Sequence, residues 1–105
     1  MFEKRRSPRR PLRLDVFLHY PSVGIIRGWT RDLSLEGMFV EIQGPFRVPR
    51  GAELRVSIPL ERGLGGAYDF CARVVHSQGD GVGLVLYSAD VEAMRALDRW
   101  LKEVA

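Results

Sequence analysis

The sequence has little of what disulfide frameworks, metal sites and membrane spans require. Its 105 residues include one cysteine, Cys71, and two histidines, His19 and His76. A lone cysteine excludes an internal disulfide and fits a reducing compartment, and neither histidine lies in a metal-ligand spacing. No apolar run approaches the roughly 20 residues of a membrane-spanning helix, and no signal-peptide apolar core follows the basic start. We therefore expect a cytoplasmic protein with no metal, no cofactor and no direct membrane insertion.

The usual catalytic patterns are also missing from the sequence. Ser34 lies outside any nucleophile-elbow pattern. The glycine-rich stretches after residue 60 precede predicted strands rather than a helix, which is the wrong context for a phosphate-binding loop. We predict that the protein is not an enzyme.

Positive charge is concentrated at the start of the chain. Residues 1–13 hold six basic side chains and one acidic side chain, a net charge of +5. The rest of the chain holds ten basic and twelve acidic side chains, a net charge of −2. The basicity therefore belongs to one segment and is not a property of the whole domain.

Six apolar segments alternate with a period of two, which is typical of half-buried strands. They cover residues 12–20, 24–33, 38–42, 53–58, 68–74 and 82–86. The last two are joined by Gly79-Asp80-Gly81, a tight hairpin signal.

The spacing changes to that of a helix near the end of the chain. Apolar residues recur at helical intervals after Ser88, a plausible N-cap, and predict a helix at about residues 89–104. The stripe consists of Val91, Met94, Leu97, Leu101 and Val104. Short strands followed by one helix predict a mainly β fold, a six-stranded antiparallel barrel covered by the helix. A chain of this length forms one domain, which we place at residues 12–105, after a flexible basic arm at residues 1–11.

Two short motifs point to an anionic ligand with a guanine edge. The arm contains Arg5-Arg6-Ser7-Pro8-Arg9-Arg10, and the second predicted strand ends in Asp32-Leu33-Ser34-Leu35-Glu36-Gly37. The arginine fork matches guanine O6 and N7 as well as phosphate oxygens, and a carboxylate accepts hydrogen bonds from the guanine N1–H and N2. Taken singly, the arm also fits a solvated tail or a nucleic-acid arm, and the turn also fits a self-capping loop.

Together the motifs resemble the PilZ domain, a bacterial receptor module for cyclic di-GMP. That family combines R-x-x-x-R with a D/N-x-S-x-x-G turn some 20 to 30 residues later; here the matching residues are Arg5 and Arg9, then Asp32, Ser34 and Gly37. The resemblance implies that the two arginines contact guanine edges and phosphates. It also implies that Asp32 and Ser34 hold a guanine base beside Gly37.

Further residues follow from the same resemblance. Lys4, just before the arginine motif, favours an intercalated pair of ligand molecules over one, and Arg6 and Arg10 add phosphate contacts. Arg73 on the fifth strand is a further candidate for ligand contact. Glu36 departs from the small residue often found before the last glycine, so its charge weakens binding of a dianionic ligand.

The resemblance implies a stand-alone adaptor whose arm becomes ordered on cyclic di-GMP binding and thereby changes contact with an unidentified protein partner. We expect a monomer or weak homodimer that does not bind nucleic acid, because the rest of the chain is acidic and lacks an aromatic and basic platform. The alternative is a PilZ-like scaffold that acts through protein contacts and binds no ligand.

Overall fold

Six alternating strands close into a barrel in the computed structural model, which describes residues 13–60 and 66–103. Every pairing is antiparallel, and the order around the barrel is β1-β2-β3-β6-β5-β4, with β4 returning to β1. This confirms the predicted six-stranded antiparallel barrel with a C-terminal helix. The arm at residues 1–11 lies outside the described residues. The elements are β1 Asp15–Tyr20, β2 Gly24–Leu33, β3 Gly37–Ile42, β4 Glu53–Pro59, β5 Ala67–Gln78, β6 Gly81–Ser88 and α1 Val91–Glu103.

The core fills the barrel because alternate side chains of each strand point inward. Each fully buried large apolar side chain contributes about 1.5–3 kcal/mol relative to an exposed one. Closure also pairs both edges of the sheet, so the barrel offers no open strand edge within the described residues. Its largest fully buried side chains include Leu18, Ile26, Leu33, Met38, Val56, Ile58, Phe70 and Leu84.

The hairpin between β5 and β6 confirms the glycine signal in the sequence. Gln78 pairs with Gly81, which leaves Gly79 and Asp80 as the two turn residues. Gly79 has a φ of +57°, a left-handed conformation that glycine adopts without a steric penalty.

A β-bulge near the end of β2 changes which side chains face the core. Thr30 pairs with Val40, but Asp32 pairs with Phe39, so Arg31 is the extra residue. Simple alternation would put Asp32 on the same inward face as Thr30. After the bulge Leu33 takes the inward position and is fully buried, whereas Asp32 is only half-buried.

The terminal helix differs from its predicted form in two ways. Ser88 is not the N-cap, because it is still paired with Cys71 in the barrel. Instead the Asp90 carboxylate accepts a hydrogen bond from the Ala93 amide at 2.7 Å, and the helix begins at Val91.

The buried face of the helix matches the predicted apolar stripe in part, because Leu97 is fully buried and Met94 and Leu101 pack against the core. Ala93, Ala96 and Leu97 are its buried residues, while Val91 is 63% exposed. Two alanines outside the stripe are therefore buried, whereas Val91 at the start of the stripe is not.

Candidate ligand-binding turn and the surface around it

The turn between β2 and β3 is built around the Ser34 hydroxyl. This oxygen accepts hydrogen bonds from the amides of Glu36 and Gly37, both at 3.2 Å, and donates to the Gly37 carbonyl at 3.3 Å. The Ser34 amide also donates to that carbonyl, at 2.9 Å. Ser34 is only 2% exposed, so in this structure its hydroxyl serves the turn itself.

Gly37 lies where β3 begins and where the backbone of β6 comes closest. An added Cβ would collide with the carbonyl oxygen of Leu84. The turn is tied to β6 a second time, because the Leu86 amide donates to the Glu36 carbonyl at 2.9 Å. Absence of a side chain at position 37 therefore allows two strands to pair closely, whatever else the turn contacts.

Asp32 takes its position from the bulge and from β3. Its Oδ1 accepts a hydrogen bond from the Phe39 amide at 3.1 Å. This bond fixes the half-buried carboxylate at the mouth of the turn, on the outer side of the barrel. The structure therefore brings Asp32, Ser34 and Gly37 together in one strand-to-strand turn.

The predicted residues of the arm cannot be placed in the same way. Lys4, Arg5, Arg6, Arg9 and Arg10 all lie outside the described residues, so their roles stay predictions.

Arg73 lies on the outer surface two strands away from the turn. Gly37 pairs with Val85, and Val85 pairs with Arg73, which corresponds to a backbone separation of roughly 10 Å. The guanidinium lies 3.9 Å from the Glu53 carboxylate and 5.2 Å from the centre of the Tyr87 ring. Arg73 therefore has partners of its own on the barrel surface.

Glu53 also holds the hydroxyl of Tyr87. The phenol donates to Glu53 Oε1 at 2.9 Å. This hydrogen bond to the carboxylate is the main reason why the pKa of Tyr87 is raised above its usual range.

Beside the turn, a network of aromatic and charged residues covers β2 and β3. This network was not predicted from the sequence. The Trp29 indole donates to Glu41 Oε2 at 2.8 Å, and Arg31 donates to Glu41 Oε1 at 3.0 Å. The Arg31 and Trp29 hydrogen bonds lower the pKa of Glu41, in that order of size. Guanidinium groups stack on two aromatic rings of this surface: Arg13 lies 4.8 Å from the Trp29 centroid and Arg31 lies 4.4 Å from the Phe39 centroid. The expectation that the chain lacks a surface of adjacent aromatic and basic residues is therefore wrong.

The start of β1 is clamped to the same part of β2. The Leu14 amide donates to the Thr30 hydroxyl at 2.8 Å, and the Thr30 amide donates to the Leu14 carbonyl at 2.8 Å. Thr30 is 1% exposed and stands just before the bulge that carries Asp32. A signal for this surface was present in the sequence, because Trp29 and Arg31 occupy alternate positions of a strand whose other face is apolar.

Residues 13–60 and 66–103 contain neither a metal-binding cluster nor a membrane-spanning helix. Over these ranges no group of three or more His, Cys, Asp or Glu side chains could hold a metal ion. Within the same part of the chain, no helix has both the length and the hydropathy that crossing a bilayer requires.

The fold and the turn together define a class: a closed six-stranded barrel with a terminal helix and a D-x-S-x-x-G turn on its surface. The family model of the PilZ domain matches residues 3–103, and the chain belongs to the PilZ domain family. This confirms the resemblance seen in the sequence. PilZ domains are receptor and binding domains rather than enzymes, and the family includes cyclic di-GMP receptors.

Solved structures with the same fold share little sequence with this chain. The PilZ domain of CeSA from a cellulose-synthesizing bacterium is 18% identical, with a TM-score of 0.73, over 93% of this chain and 98% of its own. The PilZ domain with c-di-GMP of YcgR from Escherichia coli is 17% identical, with a TM-score of 0.74, over 96% and 91%. The inhibitor of motility MotI/DgrA of Bacillus subtilis is 19% identical, with a TM-score of 0.81, over 98% of this chain but 52% of its own. No curated protein matches the chain.

Proposed function

We propose that this protein is a receptor for cyclic di-GMP that binds the ligand between its N-terminal arm and the turn after β2. The proposed contacts are Arg5, Arg9, Asp32, Ser34 and Gly37. The main supporting observation is that strand β2 holds both the residues that follow the arm and the turn itself. Leu14 is hydrogen-bonded to Thr30, two residues before Asp32. The four residue-to-residue steps from Arg9 to Arg13 span at most about 14 Å, a reach that supports contact between an arginine of the arm and the turn.

The residue types at these positions complement the ligand. An arginine fork donates to guanine O6 and N7 or to phosphate oxygens. Asp32 is an acceptor on the outer surface, suited to the guanine N1–H and N2. Gly37 is buried against β6 and contributes by letting the turn pack there, and Ser34 contributes by holding that backbone in shape as well as by any direct contact.

Additional basic residues extend the proposed site. We assign phosphate contacts to Arg6, Arg10 and, across the sheet, Arg73. Arg73 would have to leave Glu53 and Tyr87 to make this contact. Lys4 favours binding of an intercalated ligand pair, because a further cation offsets the charge of the second molecule.

Signal transmission is proposed to run through the arm. A ligand with two phosphates neutralises the like charges of residues 1–11 and orders them, at a cost of about 1–2 kcal/mol per fixed backbone residue. The ordered arm changes the surface that the barrel domain, residues 12–105, offers to a protein partner. In this proposal the protein is a cytoplasmic adaptor, a monomer or weak homodimer, that binds no nucleic acid.

Calorimetry combined with NMR tests the proposal directly. Titration with cyclic di-GMP is expected to release heat, to shift the amides of Asp32 and Gly37, and to slow the fast motion of residues 1–11. Arg9→Ala should weaken binding, whereas Arg95→Ala, on the exposed face of the helix, serves as a charge-matched control. An intact wild-type protein that gives neither heat nor shifts would rule the proposal out.

A second candidate function is a PilZ-like protein scaffold that binds no ligand. One observation favours it: Ser34 and Gly37 each have a structural role that involves no ligand, in the turn hydrogen bonds and at the Leu84 carbonyl. The scaffold predicts that Asp32→Ala leaves partner binding unchanged and independent of cyclic di-GMP. The receptor predicts that the same change abolishes the ligand dependence.

A further inference from the structure

The point where the N-terminal arm joins the barrel is held by side chains that belong to neither motif. Arg13 stacks on the Trp29 ring with its guanidinium carbon 4.8 Å from the centroid. The indole N–H is in turn fixed by Glu41, on the next strand, at 2.8 Å. We call Arg13, Trp29 and Glu41 the anchor cluster.

The anchor cluster acts together with the clamp at the next residue. Leu14 is bonded to Thr30 in both directions, so consecutive residues 13 and 14 are attached to consecutive residues 29 and 30 of β2. The bulge that turns Asp32 outward begins immediately after Thr30. One short stretch of β2 therefore positions both Arg13 and Leu14, which follow the arm, and the Asp32 carboxylate at the turn.

We propose that Trp29, supported by Glu41, is a positioning residue that holds Arg13 and Leu14 against β2, so that the arginines preceding them in the chain are delivered to the Asp32 turn. This inference rests on the proposed cyclic di-GMP function and adds residues to it that need not touch the ligand. Looser attachment of Arg13 and Leu14 would leave more conformational freedom to be lost on ligand binding, which lowers affinity without removing a contact.

The expected effect on affinity is modest, because the contact between Arg13 and Trp29 lies at the protein surface. An exposed cation–π contact corresponds to about a two- to fivefold change in an equilibrium constant, and loss of the indole hydrogen bond adds a similar factor. Trp29→Leu is thus expected to weaken cyclic di-GMP binding by about fivefold to tenfold.

A double-mutant cycle in the full-length chain separates positioning from direct contact. Calorimetry compares wild type, Trp29→Leu, Arg9→Ala and the double variant. If the anchor acts by delivering Arg9, Trp29→Leu changes affinity by less than about twofold once Arg9 is absent, because the two effects are not additive. Equal losses in both backgrounds would contradict the inference.

A second measurement reports on the anchor without any ligand. The Leu14 amide is hydrogen-bonded to the Thr30 hydroxyl, so its hydrogen exchange rate follows opening at the arm exit. We expect faster exchange in Trp29→Leu and Arg13→Ala, and partial rescue in Trp29→Phe, which keeps the ring but lacks the N–H donor.

Arg27→Ala is the matched control. Arg27 lies on the same strand β2, and its guanidinium carbon lies 5.9 Å from the centroid of the Phe17 ring. This variant should alter neither Leu14 exchange nor affinity. Unchanged exchange in Trp29→Leu, with normal ligand binding by the wild type, overturns the positioning role alone. Absence of ligand binding by the wild type overturns the proposed function and the positioning role with it.

Discussion

At the residue scale, the residues of the turn after β2 have different roles: Ser34 and Gly37 shape the backbone, and Asp32 faces outward. The Ser34 hydroxyl is surrounded by backbone groups of its own turn, and Gly37 is pressed against β6. Asp32 differs, since its carboxylate is held at the outer side by the Phe39 amide. The same short motif therefore combines a structural role with the proposed ligand contact, and variants at its three positions should give different phenotypes.

Replacement of Gly37 by alanine should destabilise the barrel. The new Cβ would meet the Leu84 carbonyl, so strands β3 and β6 must separate, at a cost of about 1–3 kcal/mol. Urea denaturation followed by circular dichroism measures this loss. Gly66→Ala is the control, because a Cβ there meets nothing within 4 Å, and its stability should be equal or slightly higher. Equal stability of both variants would contradict the close strand contact.

Replacement of Asp32 should affect ligand binding. Removal of the acceptor in Asp32→Ala is expected to weaken cyclic di-GMP binding by about 10- to 100-fold, as for a hydrogen bond to a charged group. Asp32→Asn keeps one acceptor and should lose less. Calorimetry provides the comparison, and Asp98→Ala, whose carboxylate pairs with Lys102 on the helix, should bind like the wild type. An unchanged affinity in Asp32→Ala would remove this residue from the site.

At the element scale, the strands were most predictable where apolar and polar residues alternate simply, as in β1 and β4. Val16 and Leu18 in β1, for instance, are both buried as the pattern requires, and the β5–β6 hairpin follows from Gly79. The bulge at Arg31 was not predictable, since it arises from the pairing register of β2 with β3 and leaves no local signature.

The helix shows the same limit of sequence reasoning. Its existence and the burial of Leu97 follow from the apolar spacing. The burial of Ala93 and Ala96 and the exposure of Val91 depend instead on where the helix contacts the barrel. The cap moved from Ser88 to Asp90 because β6 continues through Ser88. For the site, the turn could be predicted from its motif, whereas the Trp29 and Glu41 network depends on pairing across strands.

The network between β2 and β3 should make stability depend on pH. The folded-state pKa of Glu41 is lowered from the reference value of 4.5 by Arg31 and Trp29, so the unfolded chain binds the proton more readily. The contribution of Glu41 is therefore complete above pH 4.5 and is lost as pH falls through the folded pKa.

Denaturant titrations across this acidic range check the assignment. Glu41→Gln should lose stability less steeply than wild type as pH falls below 4.5. Direct NMR titration of the Glu41 carboxyl should give a higher midpoint in Arg31→Leu, because the largest lowering contact is absent. An identical midpoint in wild type and Arg31→Leu would show that Arg31 does not determine this pKa.

At the scale of the whole molecule, charge and shape are divided between two parts of the chain. Residues 1–13 carry +5 and the rest carries −2, while the closed barrel leaves no strand edge in the described residues to recruit a partner by strand addition. In the proposed function, long-range attraction of a dianionic ligand therefore comes from the arm, and the barrel adds short hydrogen bonds from the turn. The two contributions should respond differently to ionic strength.

Salt should weaken cyclic di-GMP binding mainly through the arm. The Debye length falls from about 10 Å at ~0.1 M salt to about 3 Å at ~1 M, which screens exposed arginine–phosphate attraction more than short hydrogen bonds in the turn. The dissociation constant should rise with salt in the wild type and rise less in Arg9→Ala, which has lost one of the attracting charges. Arg95→Ala removes the same charge from the helix, away from the proposed site, and should keep the wild-type salt dependence. If Arg9→Ala and Arg95→Ala reduced that dependence equally, net charge rather than the arm would govern binding, and the division of labour between arm and barrel would be wrong.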